Sequence, residues 1–139
     1  MEVRFAVLCD YAIVDRDNKL SVLGIFDEIR PPSLPFNLPA IYMVVAFEGS
    51  AAEAGVDLRV EYLLWGEDGS QLFQRETTIR FSPPDQPGDR VRHNEIMGLH
   101  GLPLTAAGSY AFIVRVNNEE RSHVALRVFP PNVGTHTND

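Results

Sequence analysis

The sequence predicts an all-β fold: an antiparallel two-sheet sandwich of about eight strands, immunoglobulin-like or jelly-roll-like. Apolar and polar residues alternate with period two, helical periodicity is nearly absent, and turn residues recur at roughly ten-residue spacing. The chain has 139 residues, of which 45% are hydrophobic. Because a chain of this size buries a full core as one domain, we expect a single sandwich over residues 1–130 and a flexible C-terminal tail over residues 131–139.

Eight segments with this alternation are bounded by Gly, Pro, Asn and Asp, which favour turns. The predicted strands are 3–14, 19–29, 41–48, 56–65, 71–81, 91–99, 110–116 and 121–129. The Ala-Ala-Glu-Ala run at 51–54 is long enough for a single helical turn. The proline-rich connection at 31–39 cannot be a central strand, because proline lacks the backbone donor. We expect it to cross between the sheets with Phe36 and Leu38 against the core.

The register of each hairpin follows from the loop length that keeps its apolar residues on one face. A four-residue loop at 67–70 pairs Leu64 with Phe73, and a three-residue loop at 117–119 pairs Tyr110 with Leu126. In the first hairpin, a four-residue turn at 15–18 pairs Cys9 with Gly24 and directs Cys9 toward the core. The other residues expected on that core face are Val7, Tyr11, Ile13, Leu20, Val22 and Phe26.

The segment 102–110 is similar to the corner that precedes the penultimate strand of immunoglobulin-like sandwiches. In that corner, a tyrosine hydroxyl binds an upstream backbone group and holds the crossover in place. Tyr110 is the candidate for this role. The alternative is a tyrosine that simply packs in the core.

Charge and cysteine content narrow the possible partners and compartment. Nineteen acidic residues against twelve basic ones give a formal charge of −7, which disfavours binding to nucleic-acid phosphates and to anionic lipid. No apolar run approaches the about eighteen residues of a membrane-spanning helix, and charged residues interrupt the N-terminal apolar stretch, unlike a signal peptide. Cys9 is the single cysteine. We therefore expect a cytoplasmic protein with no nucleic-acid and no membrane partner.

Three segments of the chain resemble a known family. They are Phe5-Ala6-Val7-Leu8-Cys9-Asp10-Tyr11-Ala12, then Lys19-Leu20-Ser21-Val22-Leu23-Gly24-Ile25-Phe26-Asp27, and Gly101-Leu102-Pro103 with Gly108-Ser109-Tyr110. In this combination the chain resembles a bacterial family of small proteins of unknown function, over about residues 3–128. The resemblance supports the sandwich. It implies no activity, because none is established for that family.

Few residues stand in arrangements that support catalysis. The mid-strand position of Cys9 favours a buried, inert thiol over a nucleophile. The histidines lack the close spacing typical of metal ligands; they are His93, His100, His123 and His136. No phosphate-binding loop, nucleophile elbow or zinc-protease motif occurs in the sequence. We therefore expect no enzyme activity, no cofactor and no metal.

Apolar residues at outward strand positions indicate a binding surface. The candidate interface residues are Leu63, Trp65 and Leu72, with Trp65 expected opposite Leu72. Further apolar residues expected to point away from the core are Leu8, Leu23 and Ile25. The alternative is that a loop, such as the proline-rich connection, covers this area.

Three functions remain open at this point. The first is a non-catalytic β-sandwich that binds a protein partner, including a second copy of itself as a homodimer. The second is a sandwich that binds a small molecule or a carbohydrate on an aromatic platform at Trp65 or Tyr62. The third, with the least support in the sequence, is a hydrolase that depends on Cys9 or on a metal.

Overall fold

The computed structural model describes residues 1–131, which contain eleven strands and one 3₁₀ helix. The strands are β1 (Glu2–Val14), β2 (Leu20–Phe26), β3 (Glu28–Ile29), β4 (Phe36–Leu38), β5 (Ile41–Gly49), β6 (Asp57–Trp65), β7 (Gln71–Arg80), β8 (Val91–Leu99), β9 (Leu102–Leu104), β10 (Gly108–Val116) and β11 (Glu119–Val128). The 3₁₀ helix is Ala51–Glu53, so the single helical turn predicted there is confirmed. Apart from Pro131, the predicted tail lies outside the described residues.

Two sheets enclose the main core. One has four strands in the order β2-β1-β5-β8, the other has five in the order β3-β11-β10-β6-β7, and β4 and β9 form a separate pair. The largest core side chains are at most 1% exposed; they are Phe47, Tyr62, Phe81 and Phe112. Burying a large apolar side chain contributes roughly 1.5–3 kcal/mol. The sandwich interior is therefore the main source of stability, as its alternating strands predict.

The strand order is that of an immunoglobulin-like sandwich. Without β2 and the three short strands, the first, second and fifth long strands share one sheet and the remaining four share the other. At the corner before β10, the Tyr110 hydroxyl donates a 2.5 Å hydrogen bond to the Ala106 carbonyl oxygen. The predicted sandwich and the predicted tyrosine corner are both confirmed. Within residues 1–131, no helix has the length and apolar character needed to span a membrane.

The predicted register of β6 and β7 is confirmed along most of the hairpin. Leu64 lies opposite Phe73, as the four-residue loop requires. A bulge between Leu64 and Trp65 then shifts the pairing, so that Trp65 lies opposite Gln71. The expected pairing of Trp65 with Leu72 is therefore wrong, because the bulge adds one residue, Leu72, to β7 next to the loop.

The predicted register of β10 and β11 is also confirmed, although the loop is shorter than expected. Tyr110 lies opposite Leu126. The loop contains two residues instead of three, Asn117 and Asn118, with φ of 49° and 70°. Two consecutive positive φ angles suit the right-handed twist of a hairpin. An irregularity after Val114 takes up the difference in length.

The predicted register of the first hairpin is wrong by one residue. Cys9 lies opposite Ile25 instead of the residue before it. The Asp15 carboxylate accepts hydrogen bonds of 2.8 Å from the backbone N–H groups of both Asp17 and Lys19, and the turn contains five residues. Because side chains alternate along a strand, one extra residue moves every side chain of β2 to the opposite face relative to β1.

The distal part of this hairpin, residues 10–24, folds back over the outer face of the four-stranded sheet. We call it the folded hairpin. Its backbone bends at Gly24, whose φ of +69° suits glycine and where a Cβ would overlap the Asp10 carboxylate. As a result, Asp17 in the turn lines the same pocket as Arg92 of β8. The folded hairpin therefore adds a third layer to the sandwich.

A second, smaller core lies beneath the folded hairpin. Cys9 and Val44, on the outer face of the sheet, are both 0% exposed and share a cluster with Ala12. Leu20 and Val22 pack against this cluster. The predicted burial of Cys9 is confirmed, but its predicted surroundings are wrong, because it is covered by the folded hairpin and not by the second sheet.

The proline-rich connection packs as expected. Within it, β4 pairs with β9, and Phe36 lies opposite Leu104. Leu38 is 3% exposed within the main core, and Phe36 is half-buried against it. After this connection the chain enters β5, in the centre of the four-stranded sheet.

Candidate interaction surface

The three candidate interface residues do not form one exposed surface. Leu63 lies on the outer face of the five-stranded sheet, opposite Ile113 and Gln74, and is 2% exposed. Trp65 and Leu72 are half-buried, and Leu72 packs against the main core. The chain itself therefore covers most of this area.

The exposed apolar side chains are concentrated on the first hairpin. Six of the seven large exposed ones in the described chain lie between residues 5 and 25. Four of them form what we call the hairpin patch: Tyr11 (50% exposed), Ile13 (45%), Leu23 (65%) and Ile25 (64%). The outward positions expected for Leu23 and Ile25 are confirmed. Leu8, also expected outside, is instead 0% exposed in the main core.

The hairpin patch follows from the register and the fold-back of the hairpin. Tyr11 lies directly opposite Leu23, and the neighbouring pair is Ala12 and Val22. Because successive side chains alternate between faces, Ala12 and Val22 face the second core while Tyr11 and Leu23 face solvent. The Tyr11 ring packs edge-on against Tyr42, with ring centroids 5.7 Å apart. The patch is thus held on two paired strands and not on a loose loop.

An apolar groove lies beside the hairpin patch. Its volume is about 430 Å³, and Ile25 belongs to both the patch and the groove. The groove walls include Phe26, Phe36 and Leu38, and Arg30 is among its charged residues. A recess of this kind next to an exposed apolar patch is suited to hold a protruding side chain of a partner.

The sequence pattern predicts only half of the hairpin patch. With a four-residue turn at 15–18, Tyr11 and Ile13 are expected on the core face. The carboxylate of Asp15 supplies the signal for the longer turn, since Asp side chains accept hydrogen bonds from backbone groups a few residues ahead. The Asp-Arg-Asp-Asn sequence is compatible with both turn lengths, so the sequence did not decide between them.

The single cysteine lies in an environment that favours the neutral thiol. Burial raises the pKa of Cys9, and the nearby Asp10 carboxylate raises it further, while a hydrogen bond from the Tyr11 backbone acts in the opposite direction. A nucleophilic cysteine needs a lowered pKa and access to substrate. Cys9, at 0% exposed, has neither.

His93, Glu95 and Tyr62 form a polar group at the side of the sandwich bounded by β8. His93 Nε2 lies 2.7 Å from Glu95 Oε1. The Tyr62 hydroxyl is buried without a hydrogen-bond partner among the described residues, and burial, with a smaller contribution from Glu95, raises its pKa far above the usual value. A phenol that keeps its proton is a poor nucleophile. The group therefore contains an acid–base pair but no activated attacking atom.

The other histidines that the structure describes and the two aromatic residues considered as a carbohydrate platform, Trp65 and Tyr62, differ in exposure. His100 and His123 are exposed, and His136 lies outside the described residues. In the described part of the chain, no three His, Cys, Asp or Glu side chains are grouped so that they could hold a metal ion. Tyr62 is 1% exposed, so it offers no surface platform for a carbohydrate. Only the half-buried Trp65 retains some exposed ring.

A further pocket lies between the β6–β7 loop and the tyrosine corner. Its volume is about 350 Å³, and its lining includes Glu67, Asp68 and Tyr110. The Glu67 carboxylate accepts a 2.7 Å hydrogen bond from the Ser109 backbone N–H. Glu67 thereby ties the loop to the corner, which is a structural role.

Solved structures with a similar fold include two proteins from Pseudomonas species. One is an immunoglobulin-like protein from Pseudomonas aeruginosa, with 14% identity and a TM-score of 0.41 over 93% of this chain and 98% of that one. The other is an alkylpurine DNA glycosylase from Pseudomonas fluorescens bound to DNA containing an abasic site analog, with 14% identity and a TM-score of 0.38. That match covers 88% of this chain and 30% of the glycosylase. No curated protein matches the sequence.

A family model matches residues 4–129, which is nearly the whole described chain and includes both the folded hairpin and the tyrosine corner. The expected membership in a family without an assigned function is thereby confirmed. The chain belongs to DUF6941, a family of unknown function.

Proposed function

We propose that the chain is a non-catalytic interaction module that forms a homodimer through the hairpin patch. The observation that carries the proposal is the concentration of exposed apolar side chains on one hairpin, since six of seven lie between residues 5 and 25. Contiguous apolar surface on a soluble protein usually marks a binding site. Elsewhere in the described chain, Val56 stands alone at 50% exposed.

The apolar area of the hairpin patch is a large part of what a stable dimer needs. A standard interface buries about 800 Å² per partner, of which roughly 60% is apolar, or about 500 Å². The four side chains of the patch are 45–65% exposed and provide on the order of 80–100 Å² each, or about 320–400 Å² together. The patch can therefore supply most of the apolar centre of a dimer interface.

The composition of the patch favours a second copy as the partner. None of the four patch residues is charged, so two copies can meet without burying like charges. Tyr11 and Leu23 lie opposite each other across the two strands, and a two-fold axis near this pair would place Tyr11 of one copy against Leu23 of the other. Tyrosine is also enriched among residues that anchor interfaces.

Two observations support a non-catalytic role. The thiol of Cys9 is buried with a raised pKa, and the His93–Glu95 pair has beside it only a tyrosine that retains its proton.

The net charge of −7 supports a module that does not bind nucleic acid. A single unpaired cysteine supports a place in the reducing cytoplasm.

The test compares solution mass for wild type and two variants. Leu23→Glu places a charge in the centre of the patch, and Val56→Glu places the same charge at the isolated exposed valine as a matched control. We expect wild type and Val56→Glu to sediment as dimers and Leu23→Glu as a folded monomer. Wild type that stays monomeric at high micromolar concentration would overturn the proposal. A dimer unaffected by Leu23→Glu would also overturn it.

A further inference from the structure

Arginines converge on one carboxylate on the outer face of the four-stranded sheet. Glu48 of β5 lies between Arg4 of β1 and Arg92 of β8, and its side chain is 12% exposed. Its Oε1 lies 3.2 Å from the Nε of Arg4 and 3.7 Å from the Nε of Arg92. Arg90 contacts its other oxygen. The strand order β1-β5-β8 thus sets two guanidinium groups on either side of a nearly buried acid.

This arrangement holds two guanidinium groups in place. The closest approach of Arg4 and of Arg92 to Glu48 is through Nε. Arginine binds a carboxylate best through two parallel N–H groups of its planar fork. A guanidinium that is already oriented loses less conformational entropy when a ligand arrives.

The two arginines line a pocket under the tip of the folded hairpin. The pocket has a volume of about 470 Å³, which lies within the usual range for small-molecule sites. Its apolar lining comes from Phe5 on β1 and from Leu20 and Val22 on β2. It therefore combines a cationic wall with an apolar wall, and it exists only because the hairpin folds back over the sheet.

We propose that this pocket binds a small amphipathic monocarboxylate. The carboxylate would pair with the guanidinium groups of Arg4 and Arg92, and the apolar part of the ligand would lie against Phe5. Asp17 is in the lining and Glu48 contacts both arginines, so these two carboxylates offset the two guanidinium charges. A phosphate dianion would bring two negative charges close to them, so the site suits a singly charged head group better. The proposal does not depend on dimer formation.

Titration calorimetry with three probes on the full chain tests the proposal. Phenylacetate carries the proposed chemistry, phenylacetamide has the same shape without the charge, and phenyl phosphate has a second charge. We expect phenylacetate to bind at least about tenfold more tightly than either of the other two. Equal binding of acid and amide, tighter binding of phenyl phosphate, or no binding of phenylacetate up to about 10 mM would each overturn it.

Variants then locate the site. Arg92→Gln should weaken phenylacetate binding at least about tenfold, because it removes one of the two guanidinium groups that would pair with the carboxylate. The variant should still fold, since the Arg92 side chain is 58% exposed and Glu48 remains paired with Arg4 and Arg90. Arg121→Gln is the matched control: it also removes an arginine that pairs with an acid, but on β11. Equal loss of affinity in both variants, or loss in neither, would place binding elsewhere. Leu23→Glu should leave the affinity unchanged, which separates this proposal from the homodimer.

Discussion

The outer faces of the two sheets are protected from solvent in different ways. On the five-stranded sheet, Arg59 lies between Glu61 and Glu76, with closest nitrogen–oxygen distances of 3.8 and 3.5 Å, and Leu63 is covered among the neighbouring side chains. On the four-stranded sheet, the outward residues include Cys9 and Val44, which charged neighbours do not cover. The folded hairpin covers them instead.

The difference has a consequence for function. Charged side chains cover a sheet and present a polar surface at the same time, as Arg59, Glu61 and Glu76 do on the five-stranded sheet. A hairpin used as a cover has two faces, and its outer face carries the apolar residues Tyr11 and Leu23. Covering the sheet in this way creates both the hairpin patch and the pocket under the hairpin tip.

Gly24→Ala should cost the most stability, at about 3 kcal/mol. Alanine is unfavourable at the positive φ of this position, and its Cβ would also overlap the Asp10 carboxylate. Gly69→Ala is the matched control, because its φ is +86° but nothing lies within 4 Å of the added Cβ; we expect a loss of about 1–2 kcal/mol there. Urea unfolding measures both values. Equal losses would mean that the bend at Gly24 tolerates a side chain.

The same pair of variants should differ in the reactivity of Cys9. Because the folded hairpin covers Cys9, loosening its bend at Gly24 should speed reaction with a water-soluble thiol reagent. In wild type we expect slow modification, since the thiol is 0% exposed. Rapid and complete modification of Cys9 in the folded wild type would show that the folded hairpin does not cover this thiol.

Leu63→Ala and Leu23→Ala should have opposite consequences. Leu63 is 2% exposed and Leu23 is 65% exposed. Truncating the buried leucine should lower the free energy of unfolding by about 2 kcal/mol and leave the solution mass unchanged. Truncating the exposed one should change the stability of the isolated chain by less than about 0.5 kcal/mol but weaken the dimer. If Leu63→Ala weakened the dimer and Leu23→Ala did not, the binding surface would lie on the five-stranded sheet.

Tyr62→Phe tests the orphaned hydroxyl in the main core. The folded chain keeps Tyr62 protonated, because burial and Glu95 raise its pKa, whereas the unfolded chain releases this proton near pH 10. The unfolded state then binds fewer protons, so stability should fall as pH rises above about 10. The variant should be within about 1 kcal/mol of wild type at neutral pH and should lose stability less steeply above pH 10. Identical slopes for variant and wild type would contradict this account.

Glu76→Arg should have the smallest effect, within about 1 kcal/mol. Glu76 lies opposite Glu61, in the register that the four-residue loop at 67–70 predicts, and such a like-charge pair is unfavourable. Arg59 partly offsets it by contacting both acids. The variant removes one repulsion and adds another with Arg59, so the two changes nearly cancel. A loss of several kcal/mol in thermal unfolding would show that Glu76 has a role beyond this surface.

Much of the fold could be predicted because it depends on local patterns. The eight long strands, the register of β6 with β7 and the corner at Tyr110 all follow from alternation and from turn residues. The short strands β3, β4 and β9 were not predicted, because segments of two or three residues carry no periodic signal. The candidate surface at Leu63 was misplaced, because alternation alone does not show whether neighbouring side chains cover a residue.

The sequence by itself determined the sandwich, the register of β6 with β7 and the absence of recognisable catalytic motifs, since these depend on residue type and on a period of two along each strand. The tertiary structure decided which residues remain exposed. One added residue in the turn closed by Asp15 changed which residues of β1 and β2 share a face, and the bend at Gly24 brought the hairpin back over the sheet. Both depend on backbone angles and long-range packing, which a linear pattern of apolar residues does not record.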